Sequence, residues 1–359
     1  MGIRSARAPA HHARPRPLDT YVYLLQMMTS KLPGTLVHTL GAHGSEVAED
    51  AVDGQPYRWR CATMNAPWRP RDGAGALSFD GGLWLLGGWR PREDGPTGPG
   101  GVVDTAFEGT HWTVDSEVWR SDDSGSSWYC VQPQCPWPGR HTAGYAVHQD
   151  RMWVIGGDIY TNSADVWSSA DGIEWKCHTV DAPWAGRVLS YITCFDGALW
   201  LMGGQALPQF DHHGAADSAF HRGSGTGAFY GDVWRSVDGE HWECILENAP
   251  WAQPGRGLIG SPGAVKDGYL WLFSGGTYET PDRMERNFCN DVWRTSNGKD
   301  WECVLDAAPW GARQYAEIAA FDERLWVICG CKLAPLSAQT PCSSGVCEKC
   351  LVAFVAQGD

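Results

Sequence analysis

Five apolar runs end in glycine and carry one tryptophan each: LWLLGG at Trp84, MWVIGG at Trp153, LWLMGG at Trp200, LWLFSGG at Trp271 and LWVICG at Trp326. A second set, EVWRS, DVWSS, DVWRS and DVWRT, places Trp119, Trp167, Trp234 and Trp293 downstream. Turns such as DDSGSS, ADG, VDG and SNG then lead to Trp128, Trp175, Trp242 and Trp301, which with Trp59 are each followed two residues later by cysteine. Trp68, Trp137, Trp184, Trp251 and Trp310 close the pattern in APW-like turns. Apolar and polar positions alternate with period two, and Val, Leu, Trp and Cys fill the apolar ones. That pattern predicts half-buried strands packed on neighbouring sheets.

From the third tryptophan position to the fourth the spacing is nine residues in all five repeats, and from the second to the third it is eight with one nine. Constant intervals mean fixed strand and turn lengths. From the first position to the second the spacing is 35, 14, 34 and 22, so length variation is concentrated in one connection and predicts a loop-bearing face. Each unit reads as four strands: an inner one after the arginine of a PWxxR turn, then LWLxGG, DVWRS and WxCxL. The VDG, ADG and SNG turns supply the positive φ of a tight hairpin.

Self-similarity at about 50 residues, with a double glycine and two downstream aromatics per unit, resembles the kelch and galactose-oxidase-like superfamily from Trp59 to Gly330. The resemblance implies an all-β propeller of four-stranded blades. Ser121 to Trp128, SDDSGSSW, is also similar to the Asp-box turn of sialidases and other propellers, which is a folding device. The isolated segment YRWRCATMNAPW at residues 57–68 reads as a fourth strand, and the last unit, from Gln314, loses the pattern after its second strand. Five blades closed by the N-terminal strand near Trp59 are therefore expected, with six as the alternative. Residues 1–56 read as an irregular extension, 57–330 as the propeller, and 331–359 as a degenerate segment that joins the last blade or lies beside it.

The net charge of −14 is uneven: residues 1–40 carry five Lys or Arg against one acid, so the remainder carries −18. An acidic body argues against nucleic acid as partner. The apolar stretch YVYLLQMM is too short to span a membrane. The Arg-rich, acid-free leader reads as a disordered tail, with an organellar transit segment as the alternative, and the expected compartment is the cytoplasm. Cys61, Cys130, Cys177, Cys244 and Cys303 share one repeat position, too far apart to bridge, and so read as small strand hydrophobes. Cys329, Cys331, Cys342, Cys347 and Cys350 are too irregular to make more than a weak zinc signal.

An arginine opens the inner strand of every unit: Arg71, Arg140, Arg187, Arg256 and Arg313. Five guanidinium groups around one mouth would hold an anion bidentately; pairing inside each blade is the competing reading. In the long loops, His213, Asp217 and His221 have spacing four and four, as on one side of a short helix, and Asp104, Glu108, His111 and Asp115 also follow helical spacing. Two imidazoles and a carboxylate suit iron or zinc, and the set resembles the loop ligands of plant nitrile-specifier kelch proteins, with His213 in place of their Glu. A solvated polar insert is the competing reading, and no cofactor is expected. The copper set of galactose oxidase is not assembled, because Tyr160, Tyr191, Tyr230 and Tyr278 are scattered.

The function expected is a noncatalytic module binding a protein or small anionic ligand through its long loops, with Trp89 and Trp112, the two tryptophans off the repeat, as contact anchors. The alternative is a small-molecule enzyme, either a sugar-acid mutarotase or a nitrile-specifier-like metal-dependent lyase. Glu108, Glu279, Asp282 and Glu285 are then candidate acid/base groups.

Overall fold

The structure is a computed structural model that describes residues 61–91, 112–158, 162–206, 228–252, 263–277, 287–321, 323–331 and 353–356. Every regular element among them is a strand. In the first unit, β1 (Gly75–Phe79) and β2 (Gly82–Leu86) form a hairpin, a short ribbon of β3 (Trp89–Pro91) and β4 (Trp112–Val114) projects from it, and β5 (Val118–Ser121) and β6 (Tyr129–Gln132) complete the sheet in the order β1-β2-β5-β6.

The second sheet comprises β7 (Gly144–His148), β8 (Arg151–Asp158), β9 (Asn162–Ser169) and β10 (Trp175–Thr179). The third contains β11 (Tyr191–Phe195) and β12 (Ala198–Met202), a ribbon of β13 (Gln205–Ala206) and β14 (Ala228–Phe229), then β15 (Val233–Ser236) and β16 (Glu243–Leu246). The fourth runs through β17 (Gly263–Lys266), β18 (Tyr269–Thr277), β19 (Asn287–Thr295) and β20 (Glu302–Leu305). The fifth pairs β21 (Gln314–Phe321) with β22 (Arg324–Cys331), and its third strand is β23 (Ala353–Ala356), antiparallel to β22.

All pairings are antiparallel. The fifth sheet thus takes its third strand from the C-terminal segment, whose AFVA sequence has no likeness to DVWRS. Register reproduces itself from unit to unit: Trp84 lies opposite Arg120, Trp200 opposite Arg235 and Trp271 opposite Arg294. In the four complete sheets a bulge falls where the third and fourth strands pair.

The core is a series of layers between sheets rather than one centre. Trp84, Leu86, Val118 and Trp137 pack with Met152 and Val154; Trp153, Ile155 and Trp184 with Ile192, Leu199 and Leu201. Trp200, Met202 and Trp251 pack with Leu270 and Leu272, and Phe273, Val292 and Trp310 with Ile318 and Val327. Each layer thus joins one sheet to the next, so that neither is stable alone. This is a β-propeller-like all-β architecture.

The tryptophan grid supplies most of the joints. Trp137 meets Trp175 edge to face, Trp184 meets Trp242 and Trp251 meets Trp301, with ring centroids 5.5, 5.8 and 5.9 Å apart. In each pair the first indole closes one unit and the second belongs to the next. A second joint uses a glycine: a Cβ on Gly172 would lie 2.5 Å from Trp84, on Gly239 2.0 Å from Trp153, and on Gly298 2.0 Å from Trp200. Only a residue without a side chain lets those turns close over the preceding unit's indole.

Candidate functional site

The second and third strands continue past the glycine pair as two-stranded ribbons, and the variable connections lie at the ribbon tips. The second glycine takes φ of +105 at Gly88, +93 at Gly157 and +90 at Gly204. There a Cβ would meet the backbone or first side-chain atom of the inner strand within 2.9 Å. The ribbons are tied to the start of each inner strand by reciprocal main-chain hydrogen bonds: Asp72 with Trp89 at 2.7 and 2.8 Å, His141 with Asp158 at 3.0 Å both ways, and Val188 with Gln205 at 3.0 and 3.1 Å.

In four units the next residue of the inner segment is left-handed: Gly73, Thr142, Leu189 and Tyr315 have φ of +61, +52, +58 and +56. Three of these carry side chains, an uncommon conformation that persists where surrounding contacts impose it. Here the contacts run between units: the Thr142 N–H donates to the Gly73 carbonyl at 3.1 Å, and the Leu189 N–H to the Thr142 carbonyl at 3.2 Å. A main-chain hydrogen-bonded rim therefore links the first three units at the loop-bearing face.

On that rim, at the seam of the first and second units, four side chains converge. His141 Nδ1 is 3.2 Å from Asp158 Oδ1, and its Nε2 is 3.8 Å from Asp72 Oδ2. The Trp89 ring stands edge-on to the imidazole at 5.0 Å. Asp72 is 62% exposed, Asp158 32% and His141 18%, so the cluster reaches solvent. Burial works to lower the His141 pKa, but the Asp158 charge, seconded by Asp72, outweighs it and lifts the imidazole to about 9. At neutral pH the site is an imidazolium held between two carboxylates beside an indole.

Three inner-strand arginines, Arg71, Arg140 and Arg187, lie just behind this rim, each committed within its own unit. Arg140 donates from Nη1 and Nη2 to Asp165 at 2.6 and 2.8 Å, from Nη1 to the Gly156 carbonyl at 2.8 Å and from Nε to the Pro138 carbonyl at 3.1 Å. Arg187 repeats the arrangement with Asp232, Gly203 and Ala185, and Arg71 with Glu117, Gly87 and Arg69. Arg313 is buried, and its Nε donates to the Gly311 carbonyl. At Arg71, Arg140 and Arg187, expected to hold an anion, the guanidinium groups make ion pairs inside each unit. Arg256 lies outside the described residues.

The same carboxylates accept the indole N–H of the second tryptophan set: Trp119 on Glu117, Trp167 on Asp165, Trp234 on Asp232 and Trp293 on Asp291. Burial opposes ionisation of Asp165, yet the hydrogen bonds and charge of Arg140 hold its carboxyl below the usual range. The signal for these partners stood in the sequence, as the acid two residues before each tryptophan of EVW or DVW.

Asp115 does not continue a helix from Asp104, Glu108 and His111, because Trp112–Val114 is a strand. Its buried carboxylate instead receives Arg90 Nε at 2.6 Å. Burial raises the Asp115 pKa against the opposing charges of Arg71 and Arg90. Trp89 is half-buried against His141, and the backbone of Trp112 pairs with Pro91. Asp104, Glu108, His111, His213, Asp217, His221, Glu279, Asp282 and Glu285 lie outside the described residues, and among those described no group of three or more His, Cys, Asp or Glu is placed to hold a metal. Nor, among them, is any helix long and apolar enough to cross a membrane.

No known family profile matches the chain, and no curated protein matches it. Among solved structures, that of YjhT superposes with a TM-score of 0.53 at 16% identity, covering 73% of this chain and 77% of that one. At this identity the likeness is one of fold.

Proposed function

We propose that this chain is a noncatalytic, kelch-type five-bladed propeller that binds a protein partner through its loop-bearing face, with Asp72, Trp89, His141 and Asp158 at the contact. The observation that carries this reading is the convergence of those four side chains at the foot of the β3–β4 ribbon, from which one of the long variable connections departs. With Arg71, Arg140 and Arg187 paired internally, the rim offers an anion little free positive charge. An acidic body with two solvent-reaching carboxylates at the mouth favours a neutral or basic contact surface, so a protein takes precedence over a small anion as partner.

One contact of the same grid supports closure of the ring by the N-terminal segment. Trp68 docks on Trp128 at 4.3 Å and 86°, the relation that joins the first unit to the second, the second to the third and the third to the fourth. The segment around Trp68 therefore stands where the end of a preceding blade belongs, while residues 57–60 lie outside the described residues.

The test is crosslinking mass spectrometry from cells with wild type and with Trp89→Ala and His141→Asn variants shown to be folded at the temperature of the experiment. A partner recovered by wild type and lost by both variants supports the reading. One recovered equally by all three overturns the placement. The alternative, a small-molecule enzyme, is favoured by one arrangement: His141 lies between the carboxylates of Asp158 and Asp72, which raise its pKa and suit it to act as an acid. Thermal-shift stabilisation by sugar acids, abolished in His141→Asn, would establish it over the binding module.

A further inference from the structure

Away from the rim, β7 of the second sheet ends at His148, which faces β11 of the third. Gly144 and His148 lie on one face of β7, and Ile192 and Cys194 on one face of β11. A Cβ on Gly144 would lie 1.9 Å from Ile192, so the two strands meet closely at that end of the seam. At the other end His148 Nδ1 is 3.3 Å from Cys194 Sγ, and His148 Nε2 is 3.0 Å from the Val237 carbonyl oxygen.

The carbonyl only accepts, so Nε2 carries the hydrogen and the neutral ring presents a bare Nδ1 to the thiol. If the thiol proton passes to Nδ1, Nε2–H still donates to Val237 and the new Nδ1–H donates to the thiolate. Both protonation states are accommodated without moving an atom other than hydrogen. His148 is buried and held in place, while Cys194 is only half-buried and reaches solvent.

From this geometry we infer that Cys194 and His148 form a reactive thiol–imidazole pair, a modification site for low-molecular-weight disulfides at the seam of the second and third sheets. The Cys194 proton passes to His148 Nδ1, the sulfur attacks one sulfur of the disulfide, and a new S–S bond forms as the old one breaks. The departing thiolate takes the proton back from His148. Cys194 is oxidised to a mixed disulfide, the leaving sulfur is reduced to a thiol, and the imidazole is regenerated. Burial by itself pushes the Cys194 thiol up, which would leave it inert without an acceptor; the imidazole is that acceptor. Cys177, also half-buried and likewise pushed up by burial, provides an internal control.

The experiment treats the full chain with glutathione disulfide and follows each cysteine by mass spectrometry. Cys194 is expected to form its mixed disulfide about tenfold or more faster than Cys177. His148→Gln keeps a donor for Val237 and removes the basic nitrogen, while His148→Asn places a shorter amide there that likewise cannot take the proton. Both are expected to bring the Cys194 rate down to that of Cys177, with Cys177 itself unchanged. Equal rates at Cys194 and Cys177 in wild type overturn the inference, and that comparison stands whether or not the variants fold. A Cys194 rate indifferent to both substitutions in folded protein also overturns it.

Discussion

Trp68 stands edge-on to Trp128 with ring centroids 4.3 Å apart, as Trp137 stands to Trp175 one unit later. A segment outside every described strand thereby makes the contact that elsewhere joins two complete units. Trp68→Ala is expected to lower stability by about 2–3 kcal/mol, somewhat under the loss for a fully buried tryptophan because part of the ring is exposed. Urea unfolding of the variant checks it.

Gly239 sits at φ +75 with the space for a Cβ occupied by Trp153 at 2.0 Å. Gly239→Ala combines left-handed strain with a clash against a packed ring that cannot retreat, and a loss of about 2 kcal/mol or more is expected. Gly81→Ala, also at positive φ (+70) but with nothing within 4 Å, isolates the strain and should cost about 1 kcal/mol. The difference between the two melting curves measures the joint.

Arg140 and Asp165 form a buried, bidentate pair. Removing one partner leaves the other charge uncompensated, so Arg140→Met is expected to destabilise by about 3–5 kcal/mol, and Arg140→Met with Asp165→Leu by less. Sulfate and phosphate at millimolar concentration should not raise the wild-type melting temperature specifically. A saturable rise abolished by Arg140→Met would restore the anion-site reading.

His141 links stability to pH with a definite sign. Its folded pKa of about 9 lies above the ordinary 6.5, so the folded state holds the proton more tightly. The stabilisation is fully present below about 6.5 and is lost as pH rises through about 9. Melting temperatures across that window should fall in wild type and change less in His141→Asn.

The turn aspartates act at the opposite end of the scale. Partial burial of Asp171 opposes ionisation, but N–H groups of Ile173 and Glu174 hold its carboxyl below the usual range. Its stabilisation is present above the ordinary carboxylate pKa and lost as pH falls through the lowered one. Asn297 performs the same role in the fourth unit, accepting from Lys299 and Asp300 with an uncharged oxygen. Asp171→Asn is therefore expected to be nearly neutral at pH 7, within about 1 kcal/mol, and to flatten the acid limb of the stability curve.

The strands and turns were legible because each is specified by neighbours a few residues apart. Period-two alternation around Trp84, Trp153 and Trp200 marks the second strand, and the glycine of VDG or SNG marks the turn wherever it occurs. The third strand of the fifth sheet was not legible, because AFVA carries no repeat residue and is a strand by virtue of pairing with β22. The candidate site escaped for a related reason. Asp72, His141 and Asp158 come from three segments and two units, and no spacing along the chain announces their meeting.

By itself the sequence determined the unit, its strand and turn lengths and the connection that varies, since these depend on local periodicity and on residues that tolerate positive φ. Only the tertiary structure decided what the repeated charges do. An arginine at the start of an inner strand would serve equally as ligand or as buried partner. The choice fell to the carboxylate of EVW or DVW, brought back beside it by the antiparallel pairing of the second and third strands. The same folding left His141 at a seam between a carboxylate of its own unit, Asp158, and one of the preceding unit, Asp72.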